Sequence, residues 1–153
     1  HNNAGVLLDD EETVLIPDKL RRTLEVNLIG TADFTERMLS LLNSPAHIVF
    51  TSSAAGSIGE ATHVEDSHYP YHYPAYKISK ASLNMYACTL AARLMHENRG
   101  VIVSAVHPGW VKTEMGGDEA PMTPTEAAEH MYRLATSQPE TGKFWFKGEE
   151  YPW

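Results

Sequence analysis

The chain has 153 residues, 42% hydrophobic and 21% charged, enough for one globular domain with a real core. A formal net charge of -8 with no basic stripe excludes a general nucleic-acid binder. No apolar run reaches membrane-spanning length and no signal peptide is visible, so a cytoplasmic protein is expected; the single cysteine, Cys88, excludes an internal disulfide framework.

The chain opens with His1-Asn2-Asn3-Ala4-Gly5, which reads as the turn at the end of a strand that would precede it. Residues 1–16 read as loop, with an acidic patch from Asp9 to Glu12. Pro17 suits a first helical position. From residue 18 to 42, Leu20, Leu24, Leu28, Phe34, Met38 and Leu41 recur at helical spacing and predict one buried face. Asn27 falls mid-helix, where Asn forms helix poorly; a solvent-facing or backbone-bonded side chain is its plain explanation. Residues 47–51 are apolar and β-branched, as in a buried strand, and end in the small-residue turn Ser52-Ser53-Ala54-Ala55-Gly56. The loop from 57 to 74 is rich in His, Tyr and Pro. Its His63, Asp66, His68 and His72 are too irregularly spaced for a metal site, so no metal is expected.

A long helix is predicted from Tyr76 to about residue 97, with Gly100 as its stop. Positions four apart share a helix face, so the Tyr76 hydroxyl and the Lys80 ammonium can share one site. A fixed cation beside a phenol stabilises phenolate and lowers its pKa, which suits an acid-base tyrosine. The spacing alone equally describes a surface Tyr and a solvated Lys. Residues 101–106 form a second strand ending in His107-Pro108-Gly109, followed by a flexible segment from 110 to 122. Thr123-Pro124-Thr125-Glu126 carries a capping-box pattern for a helix to about residue 137, and residues 143–146 form a last strand. No repeat or linker divides the chain, so residues 1–153 read as a single domain. Alternating helices and strands imply an α/β fold, a parallel sheet of three strands covered on both faces by helices. Ligands in such sheets sit beyond the carboxyl ends of the strands, where Ser53, Tyr76 and Pro108-Gly109 meet.

These motifs, in this order, resemble the short-chain dehydrogenase/reductase family. Asn2-Asn3-Ala4-Gly5 matches its N-N-A-G turn, Asn27 its mid-helix Asn, and Ser53 its serine. Tyr76 and Lys80 match its Y-x-x-x-K, and Pro108-Gly109 with Val111 and Thr113 its P-G-x-x-x-T. The ending from Gly142 to Trp153 and the long loop before Tyr76 resemble the carbonyl-reductase-like branch. The resemblance implies the C-terminal half of a Rossmann-type, NAD(P)-binding domain. It implies hydride transfer between a nicotinamide cofactor, NAD or NADP with NADP favoured by the branch, and a carbonyl or alcohol substrate. Tyr76 would exchange the proton, Ser53 would hold the substrate oxygen, Lys80 would tune Tyr76 and bond the nicotinamide ribose, and Asn27 would hold a relay water. Asn3, Ala4 and Gly5 would contact the adenine-side ribose. Pro108, Gly109, Val111 and Thr113 would meet the carboxamide, with the segment from Trp110 as a mobile lid.

Two departures matter. The glycine-rich T-G-x-x-x-G-x-G turn of the family's N-terminal half is not in this chain, and Gly56-Ser57-Ile58-Gly59 precedes no helix. The interval of 23 residues from Ser53 to Tyr76 is long for the family, and implies a flap with Tyr69, Tyr71, His72 and Tyr73, suited to an apolar or aromatic carbonyl compound. With no strand before it, the edge of strand 47–51 would be bare, which favours pairing with another chain, a homo-oligomer included. The alternative to an enzyme is a truncated non-catalytic remnant or an interaction protein unable to bind the dinucleotide by itself. A serine hydrolase is disfavoured, since no G-x-S-x-G elbow exists.

Overall fold

The computed structural model of the chain describes residues 1–61 and 71–153. Three parallel strands, β1 (Ala46–Thr51), β2 (Val101–Val106) and β3 (Lys143–Phe146), lie side by side in that order. The three-stranded parallel sheet expected from the sequence gains a fourth strand, β4 (Glu149–Glu150), antiparallel to β3. A two-residue turn joins them through Lys147 (φ 49°) and Gly148 (φ 88°), and two residues are too few to show a strand's alternation. Beyond β1, Asn2 adds one residue of pairing: its N–H donates to the Val49 carbonyl at 2.8 Å and its carbonyl accepts the Thr51 N–H at 2.9 Å. Asn3 and Gly5 are thereby carried past the carboxyl end of the sheet.

The helices are α1 (Pro17–Leu24), α2 (Thr31–Met38), α3 (Pro74–His96) and α4 (Pro124–Thr136). Side chains alternate across β1, so Ile48 and Phe50 face α3 while Val49 faces the other way. The main core joins Ile48, Phe50, Val103, Ala105 and Phe144 to Leu83, Ala87, Leu90, Ala91 and Leu94 of α3. On the opposite face Val49 and Val106 pack against Leu134 of α4 and half-buried Met131 and Trp145. The capping box of α4 is formed, Thr123 and Glu126 satisfying each other's backbone N–H groups.

One expectation is corrected. The helix read over 18–42 is not a single α-helix with a leucine face. A π-helical segment, Glu25–Gly30, separates α1 from α2 and widens the turn. The residues that point inward recur every four: Thr23, Asn27, Thr31, Thr35 and Leu39 are buried, whereas Phe34 and Leu41 are exposed. The polar side chains of Asn27, Thr31 and Thr35 find partners on this face, whereas the buried Thr23 hydroxyl has none among the described residues. The Thr35 hydroxyl bonds the Thr31 carbonyl and receives Asn2 Nδ2 at 3.2 Å.

The turn after β1 is pressed against α3. Gly56 has no room for a side chain: a Cβ would lie 2.7 Å from the backbone carbon and the Cβ of Lys80. Gly56→Ala is therefore expected to push α3 outward at Lys80 and to cost about 2 kcal/mol in urea denaturation; wild-type stability would show that the helix does not need this contact.

Candidate active site

Four elements converge beyond the carboxyl ends of the strands. Ser53 leaves β1 in extended conformation, with its hydroxyl accepting the Ala55 N–H at 3.2 Å, so that a 3₁₀ turn (Ala54–Gly56) follows directly. Asn84 of α3 fixes this turn from both sides. Its Oδ1 accepts the Ser52 hydroxyl, and its Nδ2 donates to the Gly56 carbonyl at 3.2 Å. The Ser53 hydroxyl faces the phenol of Tyr76, in the first turn of α3, closely enough to hold that phenol down. One turn on, Lys80 is only 3% exposed. Its ammonium donates to the Thr51 carbonyl at 2.9 Å and stands 5.6 Å from the centre of the Tyr76 ring. An ammonium has three donors, which leaves two for the cavity that Lys80 lines.

The electrostatics depart from the expectation that Lys80 lowers the Tyr76 phenol. Burial pushes that phenol above its ordinary value; the Ser53 hydroxyl opposes the rise and Tyr73 adds to it. The ammonium lies over the ring rather than at the hydroxyl, and one of its protons goes to Thr51. Burial in turn lowers Lys80 to about 8.

Asn27 is wholly buried, not solvent-facing. Both of its amide protons are used. Oδ1 accepts the Val6 N–H at 2.8 Å, and Nδ2 donates to the Val6 carbonyl and to Ser79 Oγ, each at 2.9 Å. Asn27 therefore ties the N-terminal loop to α3 and has no side-chain donor left for a water. The strand end after β2, His107-Pro108-Gly109, is set by stacking. The His107 ring lies 3.9 Å from that of Phe146, interplanar angle 20°. Its Nδ1 accepts the Gly109 N–H at 2.9 Å, so the ring is neutral with its proton on Nε2. Burial first, then His130 and Lys147, lowers this imidazole to about 4. His130 of α4 bonds the Pro108 carbonyl at 3.0 Å.

A cavity of about 1540 Å³ unites these groups. Asn3, Gly5, Ser53, Tyr76, Lys80, Pro108, Gly109, Val111 and Thr113 line it; Ala4 and Asn27 do not. Thr113 is engaged in its own turn, donating to Val111 O at 3.3 Å and accepting from Gly116 N at 3.1 Å. The segment read as a flexible lid is closed on itself: Lys112 N donates to Met122 O at 2.8 Å, and the Trp110 indole donates to Gly116 O at 2.7 Å. Of the expected flap, Tyr71, His72 and Tyr73 are described and Tyr69 lies outside the described residues, as do His63, Asp66 and His68. Among the described residues no three His, Cys, Asp or Glu side chains converge on a metal position, and no helix is long and apolar enough to cross a membrane.

Sequence reading misses three residues of this site. Asn84 and His107 carry no pattern of their own. Asp9, read only as part of an acidic patch, is 2% exposed and bonds the first turn of α3. A lone Asp can be found by asking which groups satisfy the start of a helix with no local cap.

Comparison with known proteins follows the same geometry. A family model described as short chain dehydrogenase matches residues 1–123. The chain is 32% identical to C-signal of Myxococcus xanthus, over 99% of this chain and 90% of that one. It is 26% identical to carbonyl reductase 1 (NADPH) of Mus musculus, over 99% of this chain and 68% of that one. The crystal structure of NADPH-bound carbonyl reductase from chicken fatty liver superposes with a TM-score of 0.84 at 26% identity, covering 99% of this chain and 64% of the other. The chain thus spans most of C-signal but about two thirds of the reductases.

The buried ammonium yields a stability test. Below pH 8 the folded and unfolded chains both hold the Lys80 proton, and the cost of burying the charge is fully present. Between about 8 and the ordinary lysine range the folded chain releases the proton first, so stability rises with pH. Relative to Lys80→Met, the parent is expected to gain stability from pH 7 to 9.5 in urea titrations, part of a total on the order of 3 kcal/mol. A pH-independent difference between the two would contradict the burial.

Proposed function

The chain belongs to the short-chain dehydrogenase family, and from that premise we propose that it reduces a carbonyl compound to an alcohol with NADPH. The observation that carries this reading is the meeting of the Ser53 hydroxyl, the Tyr76 phenol and the Lys80 ammonium at one wall of a cavity that continues to Pro108 and Gly109. NADPH is chosen over NADH because two reductases similar to this chain, one in sequence and one in structure, carry that cofactor in their names.

The residues present fit the nicotinamide end of such a cofactor. Two Lys80 protons are open for a ribose hydroxyl, and the turn fixed by His107 presents backbone for a carboxamide. Asn3 and Gly5 line the far part of the cavity. The glycine-rich phosphate turn is not among these residues. When bound, the dinucleotide supplies the hydride. The protein supplies the proton and its placement. Tyr76, whose phenol burial keeps protonated, donates to the substrate oxygen in reduction. Ser53 hydrogen-bonds that oxygen and fixes it in line with Tyr76. Lys80 then compensates the phenolate that remains. In this reading Asn27, within the π-helical segment, would hold the water that returns a proton to Lys80. The lone thiol Cys88 accords with a cytoplasmic setting.

A second reading is favoured by one observation: this chain covers 90% of C-signal. In that reading the chain is an interaction protein on a dehydrogenase scaffold. NADPH fluorescence titration separates the two, since only the reductase reading requires saturable binding.

Tyr76→Phe is expected to lower kcat for carbonyl reduction by about two to four orders of magnitude, with NADPH affinity changed by less than about twofold. Near-parental turnover in that variant would remove Tyr76 from the mechanism.

A further inference from the structure

Helix α3 carries both Tyr76 and Lys80, yet it starts without a cap of its own. The residue before it, Tyr73, lies in the left-handed region (φ 45°, ψ 54°), and its side chain bonds no helix N–H. Pro74, the first helical residue, has no N–H to donate. The next two amides are taken from far away in sequence. Asp9 Oδ2 accepts Ala75 N–H at 2.6 Å, and Asp9 Oδ1 accepts Tyr76 N–H at 3.3 Å. The Tyr73 N–H goes to the Glu12 carbonyl at 2.9 Å. A single turn, closed by Glu12 N–H on the Asp9 carbonyl at 2.9 Å, thus receives the start of α3.

That turn is itself fastened on both sides. The Glu12 carboxylate takes Lys19 Nζ of α1 at 2.7 Å. Three residues before Asp9, Val6 is held at its N–H and its carbonyl by Asn27, whose amide also reaches Ser79 of α3. Asp9 is therefore a buried carboxylate on a fixed strap, and both its oxygens are aimed at the peptide groups around Tyr76. A carboxylate at the positive end of a long helix is favourable in itself. Its placement does more than stabilise, because one of the amides it holds is Tyr76's own, one bond from the Cα that carries the phenol, and the other belongs to the residue before it.

We propose that Asp9 is the positioning residue for Tyr76: by gripping the Ala75 and Tyr76 amides, its carboxylate sets the phenol against the Ser53 hydroxyl. The kinetic consequence rests on the proton-donor role proposed for Tyr76; the geometric one does not.

The test uses the whole chain with isotope-labelled tyrosine. The Tyr76 Cζ resonance is identified by its loss in Tyr76→Phe, and its position without the serine contact is read from Ser53→Ala. In Asp9→Ala the resonance is expected to move towards its Ser53→Ala position. In the same variant kcat for carbonyl reduction falls by about tenfold or more, while KM and NADPH affinity stay within about twofold. Asp9→Asn keeps one acceptor oxygen in place of two, so it is expected to lie between Asp9→Ala and the parent in both readouts. A folded Asp9→Ala with parental resonance and parental kcat, and only a lower melting temperature, overturns the proposal and leaves Asp9 a simple cap. If Asp9→Ala does not fold, Asp9→Asn decides: intermediate values support the proposal, and parental values in both readouts overturn it. If the parent itself turns over no carbonyl compound, the reductase reading fails, and the Tyr76 resonance in the Asp9 variants still decides the positioning.

Discussion

The Lys80 ammonium, buried and bonded to the Thr51 carbonyl, is the constraint on which the site depends. A charge out of water is costly unless it is hydrogen-bonded, so α3 must come close enough to the end of β1 for the bond to form. That approach is allowed because Gly56 offers no side chain at the contact, and Asn84 locks the strand exit to the same helix. Once the helix lies there, Tyr76 one turn back has little choice but to face Ser53. The apolar core below, from Phe50 and Val103 to Leu83 and Leu90, sets the height of the helix above the sheet.

Electrostatics divide the work between the two titratable groups. Burial raises the phenol and lowers the amine, and each shift is the ordinary response of its group to a dry site. The result is a phenol that keeps its proton and an amine whose proton is held less firmly than in water. Such a pair suits proton donation by Tyr76, with the charge left behind answered by Lys80. Neutral His107 lends structure rather than charge, clamped between Phe146 and Tyr151 while its Nδ1 shapes the Pro108-Gly109 turn.

Much of this was legible in the sequence. Tyr76 and Lys80 lie on one helix, so their spacing alone puts them on one face, and Ser53 and Pro108-Gly109 each follow a strand of unmistakable β-branched character. What was hidden depends on through-space partners or on departures from regular periods. The Thr23–Asn27–Thr31–Thr35 stripe follows a four-residue rhythm that a π-helical segment permits and a search at the α-helical period passes over. Asp9 meets Ala75 across 66 residues of chain, and nothing local to either marks the contact. The raised Tyr76 phenol is hidden from sequence because burial is a property of the folded molecule, whereas a nearby cation can be read from spacing.

In the proposed reaction this wall of the cavity moves a proton while a hydride arrives from a bound nicotinamide. The most direct measurement incubates the chain with a carbonyl compound and NADPH carrying deuterium at its transferable position, then weighs the alcohol formed. The account predicts alcohol bearing one deuterium, formed by the parent chain and lost with Tyr76→Phe. Parent chain that forms no deuterated alcohol, or a Tyr76→Phe variant that forms it at the parental rate, would contradict it.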